Sequence, residues 1–191
     1  ADDPPGAVYQ AVMCALHHSG RPHHEVLMMM NTLHEEGHVA TAYEYSLVMA
    51  SCIRGSQPEL TLNVLALMTE HGCDADHATY TVLMRALAKL GDDASAKDVL
   101  DAMRVAGYSP NIGIYNDALR ACAKARSINS ALHIIDDMGR WGVTPDRLTF
   151  NIAMDVFAKA AAANTNNKKN KSDMGTAQAR RRMVELFETT G

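Results

Sequence analysis

Aromatic side chains are scarce in this sequence, which has three Phe and one Trp in 191 residues. Its apolar weight lies instead in Ala, Leu and Met, which suits close helix packing better than a sheet. No run approaches the roughly 18 apolar residues that would cross a bilayer, so the chain reads as soluble. The four cysteines, Cys14, Cys52, Cys73 and Cys122, lie far apart, with no C-x-x-C pair and no zinc-finger spacing, and read as reduced, small core residues. There is no Gly-rich phosphate loop and no G-x-S-x-G, and the expectation is a non-enzyme without a cofactor. His17, His18, His23 and His24 come as adjacent pairs that point to different faces, so no metal site is expected either.

Charge is uneven along the chain. Residues 1–146 carry 10 Lys/Arg against 18 Asp/Glu, whereas residues 147–191 carry 8 against 4. A nucleic-acid binder usually shows a basic face. The acidic bulk therefore argues against free-standing RNA binding, and the basic tail with Arg180, Arg181 and Arg182 argues for it. The first residue is Ala1 rather than Met, which leads us to expect a processed mature chain or a fragment.

What the sequence does have is a period. Tyr45, Tyr80, Tyr115 and Phe150 are spaced at 35 residues, and so are Gly37, Gly72, Gly107 and Gly142; Met68, Met103 and Met138 keep the same interval. A repeat of this length signals stacked helical units, each burying its apolar face against its neighbours. Within a unit, Tyr80, Leu83, Leu87 and Leu90 form one 3.6-residue stripe, and Ala96, Val99, Leu100 and Met103 form a second. Gly91 separates them, and Gly107 stands where a helix ends in the left-handed conformation.

The fold expected is all-α, a right-handed superhelical solenoid of about five helix-turn-helix repeats. Residues 1–6 form a breaker-rich lead-in, and units run at about 7–42, 43–77, 78–112, 113–147 and 148–191. The last unit carries a polar Asn/Lys-rich insert at about 161–175, expected to be a surface loop. Met28, Met29 and Met30 are expected to fill core and interface.

Ala78-Thr79-Tyr80-Thr81, Ile114-Tyr115-Asn116 and Leu148-Thr149-Phe150-Asn151 open units, while Gly107-Tyr108-Ser109-Pro110-Asn111 and Gly142-Val143-Thr144-Pro145-Asp146 close them. In these segments the chain resembles the pentatricopeptide repeats, over nearly its whole length. The 34-residue tetratricopeptide pattern, with its Leu-Gly, is absent.

The resemblance implies single-stranded RNA along the first-helix surface, one base per repeat read by two or three side chains. The implied readers are the residue after the first-helix Tyr/Phe and the residue closing the unit. These are Gln10/Thr41, Ser46/Asp76, Thr81/Asn111 and Asn116/Asp146, with Asn151 unpaired. By the family's preferences the last three pairs resemble readers of G, A and U. The residues expected to clamp each base are Tyr43 and Leu148, whereas Ala78 and Gly113 offer little for a base to rest on. Arg54, Lys89, Lys124 and Lys159 recur at 35 residues in the place that faces phosphates, with Arg180, Arg181 and Arg182 as a further cluster.

The same residues have a plainer reading. Thr41, Asp76, Asn111 and Asp146 precede helices, where such side chains are favoured as N-caps. Cations at helix C-termini are likewise favoured by the dipole.

The resemblance further implies an organellar protein, mitochondrion favoured over plastid, that contacts single-stranded or ribosomal RNA within a larger ribonucleoprotein such as a mitochondrial ribosome. Other protein subunits are expected at the solenoid ends. The alternative is a protein–protein scaffold subunit of an organellar membrane or enzyme complex without RNA.

Overall fold

The computed structural model describes residues 5–20 and 23–165, together with Arg181 and Val184. Among these residues there are nine helices and no strand: α1 (Pro5–His18), α2 (His23–Glu35), α3 (Ala42–Arg54), α4 (Leu60–Glu70), α5 (His77–Leu90), α6 (Asp93–Val105), α7 (Ile112–Ala125), α8 (Ile128–Arg140) and α9 (Arg147–Thr165). None is long and apolar enough to cross a membrane. Contacts divide the chain into two compact units, Ala1–Ala86 and Leu87–Gly191.

In the first unit α1 pairs with α2 and α3 with α4, and α3 also packs on α1 and α2. Their shared core includes Met13, Val26, Met30, Leu33, Tyr45, Val48, Met49, Cys52 and Met68. In the second unit α7 lies against α6, α8 and α9, and α8 also touches α6 and α9. Leu100, Met103, Ile114, Tyr115, Leu119, Cys122, Ile134, Met138 and Val156 are buried there. A fully buried aliphatic side chain of this kind contributes roughly 1.5–3 kcal/mol.

The Met and Gly periods turn out to be one device. Gly72, Gly107 and Gly142 have φ of 69°, 83° and 68°. The N–H of the residue after each donates to the carbonyl of the matching Met: Cys73 to Met68 at 3.0 Å, Tyr108 to Met103 at 2.8 Å and Val143 to Met138 at 2.9 Å. This is the six-to-one bond of a Schellman cap. The Met side chains meanwhile sit fully buried in the core.

The buried tyrosines recur with different partners. The Tyr45 hydroxyl lies 2.6 Å from His71 Nδ1 and 3.2 Å from His34 Nε2. Tyr115 instead receives Arg104 at 2.9 Å and donates to Asp137 at 3.2 Å, and Arg104 and Asp137 form an ion pair. Repetition fixes where the ring goes, while the local neighbours decide who satisfies its oxygen.

Three expectations need correction. The first helix starts at Pro5, inside the supposed lead-in, because proline is tolerated in a helix's first turn where its missing N–H has no partner to lose. The polar insert does not begin at 161: α9 continues to Thr165, since Ala160–Ala163 is a run of the strongest helix former. The rest of the expected insert lies outside the described residues. Met30 is core, but Met28 is 66% exposed, because consecutive helical positions cannot all face inward. The four cysteines are free as expected, Cys52 and Cys122 buried in the cores and Cys14 and Cys73 half-buried against the first unit's core, so only their depth differs.

Candidate nucleic-acid interface

The residues that close each repeat act first as helix caps. Asp76 Oδ1 accepts from the N–H and hydroxyl of Thr79, both at 2.7 Å. Asp146 Oδ1 accepts from the same groups of Thr149 at 2.7 and 2.8 Å. Asn111 Oδ1 accepts from Ile114 N–H at 3.1 Å. At Thr41 the contact is the returning half of a capping box, the Thr41 backbone N–H donating to the Glu44 side chain at 2.8 Å. Each of these satisfies orphan groups in a helix's first turn. The three side-chain caps use Oδ1 alone, so capping does not require the second head-group atom.

The first-helix partners differ from one another. Ser46 is buried, and its hydroxyl donates to Tyr43 O at 2.8 Å; Thr81 is half-buried and donates to His77 O at 2.8 Å. Both hydroxyls are turned onto their own helices. Gln10 is half-buried on α1, and Asn151 is exposed on α9.

Asn116 is different. It is 3% exposed, and its Oδ1 has no hydrogen-bond partner. Beside it, the Asp146 carboxyl is held below the ordinary carboxylate range by the N–H of Thr149 first, then the Thr149 hydroxyl, the Leu148 N–H and the Asn116 side chain. The structure thus brings the pair Asn116/Asp146 together from helices two elements apart.

The clamp positions are open where the residue is large: Tyr43 is 44% and Leu148 46% exposed. At Gly113 an added Cβ would approach Asn111 Oδ1 at 3.2 Å, the oxygen that caps α7.

The cation ladder is largely engaged within the fold. Arg54 donates to the carbonyl of His17 near the end of α1, and its second terminal nitrogen lies 2.5 Å from His17 Nε2. Because Ser51 donates its hydroxyl proton to Leu47 O at 3.0 Å, it serves as acceptor to His17 Nδ1 at 2.7 Å. That leaves Nε2 as the acceptor for Arg54, so His17 is neutral. Burial, then the Arg54 charge, then His18 push its pKa down.

In the second unit Lys124 donates to the Lys89 carbonyl. Its stem lies across Gly91, where a Cβ would come within 2.8 Å of Lys124 Cγ. Lys159 pairs with Asp155 at 2.6 Å. Arg181 is exposed, and Arg180 and Arg182 lie outside the described residues.

Between α7 and α9 opens a cavity of about 390 Å³ lined by Arg120, Ala123, Asn151, Ile152, Asp155 and Lys159. Arg120, which pairs with Asp117 at 2.5 Å, was not among the expected contacts. Its sequence signal is Arg85, 35 residues earlier. No group of His, Cys, Asp or Glu able to hold a metal occurs among the described residues.

Helical hairpins with Schellman-capped ends, recurring at 35 residues, define an all-α helical-repeat solenoid. Its sequence matches the pentatricopeptide repeat domain model over residues 63–124 and the PPR repeat family model over residues 110–159, together half of the chain. The chain belongs to the pentatricopeptide-repeat family.

No curated protein matches it by sequence. Among solved structures it is similar to the PPR domain of Arabidopsis thaliana protein-only RNase P 1 in complex with tRNA, at TM-score 0.70 and 16% identity over 97% of this chain and 100% of that one. It is also similar to maize PPR10 in complex with an 18-nt psaJ RNA element, at TM-score 0.64 and 22% identity over 98% of this chain. The chain spans 30% of the length of PPR10 in that structure.

Proposed function

We propose that this chain is a non-catalytic RNA-contacting protein that meets a single strand along its first helices, as a subunit of a larger organellar ribonucleoprotein such as a mitochondrial ribosome. The mitochondrion is favoured over the plastid. The observation that carries this reading is Asn116. A buried amide oxygen without a partner costs about 1–3 kcal/mol, and the fold gains nothing from it. Small rotations about χ2, with Asp146 beside it, would present a donor and acceptors to a base edge. Leu148, two residues from Asp146, supplies an exposed apolar contact. Both solved relatives named above hold RNA, which supports the same reading.

The affinity of this chain alone is expected to be low. Three bases at ~1–3 kcal/mol each from stacking barely offset an association cost of ~4–15 kcal/mol. Crosslinking in the native assembly and an electrophoretic shift at low salt with a short GAU-containing strand test the proposal. Absence of any RNA crosslink in the native assembly would sink it.

A second reading, a protein scaffold, draws support from Val105 and Trp141. They are 90% and 58% exposed near the ends of α6 and α8. Co-purification of a protein partner with no RNA would favour it.

A further inference from the structure

Lys124 occupies the place in its repeat from which a phosphate contact is expected, but its ammonium is already bonded to the Lys89 carbonyl, and its stem is fitted over Gly91. A cation that holds the end of a neighbouring helix leaves the phosphate position at this step to another group. One turn earlier on the same helix stands Arg120, which reaches the cavity between α7 and α9 opposite Lys159. Asn151, the reader position of α9, lines the same cavity, and Asn116, the reader position of α7, is one turn from Arg120. The cavity therefore lies between two successive reading positions, where the connecting backbone of a strand would pass.

The fold itself has little use for Arg120. Arg120 and Lys124 are like charges at i, i+4, an arrangement that destabilises a helix by roughly 0.2–0.5 kcal/mol. The same pairing occurs as Arg85 and Lys89, 35 residues earlier. The bond from Arg120 to Asp117 joins side chains that are 46% and 15% exposed. The Arg120 end of the pair is open, and its guanidinium has N–H donors left for a second acceptor while one stays on Asp117.

A guanidinium offers two parallel N–H donors to phosphate oxygens, which an ammonium does not. Among the cavity's lining residues, Arg120 and Lys159 stand against one carboxylate, Asp155, and that carboxylate is bonded to Lys159.

We infer that Arg120, rather than Lys124, takes the phosphodiester between the nucleotides at Asn116 and Asn151, so that the phosphate contact at this step is displaced by one helical turn. The inference rests on the RNA reading proposed above.

Its test is a salt titration of the full chain with a fluorescein-labelled GAU-containing oligoribonucleotide, comparing Arg120→Gln, Arg120→Lys and Lys124→Met. Losing one phosphate contact to a single strand lowers the log–log salt slope by about 0.7, which is about eightfold in affinity between 1 M and 50 mM salt. Arg120→Gln shows that loss, Arg120→Lys keeps the slope, and Lys124→Met lowers the melting temperature while leaving the slope alone. If wild type binds and Arg120→Gln keeps its slope, or Lys124→Met loses it, the displacement is wrong and the RNA reading stands. If wild type shows no binding at 50 mM salt, the inference fails for the free chain, and crosslinking in the native assembly decides the RNA reading.

Discussion

At individual side chains, burial sorts chemistry that looks equivalent in the sequence. Cys122 is fully buried in the second unit, and burial, foremost, pushes its thiol up to about 12. Since the thiolate is the reactive form, iodoacetamide at pH 8 is expected to label half-buried Cys14 and Cys73 in the native chain and to spare Cys122, as peptide mass spectrometry would read out. Rapid native labelling of Cys122 would contradict its placement.

His17 gives a pH dependence of definite sign. Its folded pKa is depressed, by burial and then by Arg54 and His18. The unfolded chain therefore binds more protons just below the ordinary histidine value of about 6.5, and stability rises with pH there. The contribution of neutral His17 is complete above that value and is lost as pH falls through the depressed one. Thermal melts between pH 7.5 and 5 are expected to show a decline that His17→Gln reduces. An identical decline in the variant would remove His17 as its source. None of this was visible in the sequence, where the four histidines read only as forming no metal site, because Ser51 and Arg54 come from another helix.

At the level of helices and their ends, the glycines do different work. Gly91 and Gly107 have φ of 80° and 83°. A side chain in that conformation costs roughly 1–2 kcal/mol. An added Cβ meets nothing at Gly107, but at Gly91 it meets the Lys124 stem. Gly91→Ala is therefore expected to lower the melting temperature more than Gly107→Ala, the difference measuring the seat of Lys124 at the end of α5. Equal losses in calorimetry would mean that Lys124 makes no such contact. Helix existence and order were legible from the 3.6-residue stripes within a 35-residue period. The extension of α9 to Thr165 was not, because the polar composition of the Asn/Lys segment hid the alanines before it.

For the chain as a whole, RNA affinity should respond to the clamp that one repeat lacks. Gly113→Val supplies an apolar side chain where Gly113 offers a base little to rest on. It is expected to tighten binding of a GAU-containing strand about fivefold, the low end of the stabilisation from one stacked base. The new Cβ presses on Asn111 Oδ1, so a small fall in melting temperature is expected alongside. Fluorescence anisotropy at 50 mM salt would check it, and unchanged or weaker binding would speak against a base at this position. The pairing of Asn116 with Asp146 could be listed from spacing, but whether the two side chains met depended on how α7 and α9 packed.

The repeat period, the helical hairpins and the cap residues were settled in the sequence, because they follow from local chemistry: apolar spacing, glycine's access to positive φ, and short polar side chains before a helix. The fate of the polar groups was settled only by packing. Ser46 and Thr81 turned onto their own backbones, Arg54 and Lys124 onto neighbouring carbonyls, and Asn116 was left with an unmatched oxygen. The physical reason is that a hydrogen bond between repeats depends on distances across a helix interface, and a period of 35 residues gives the order of those groups without their separation.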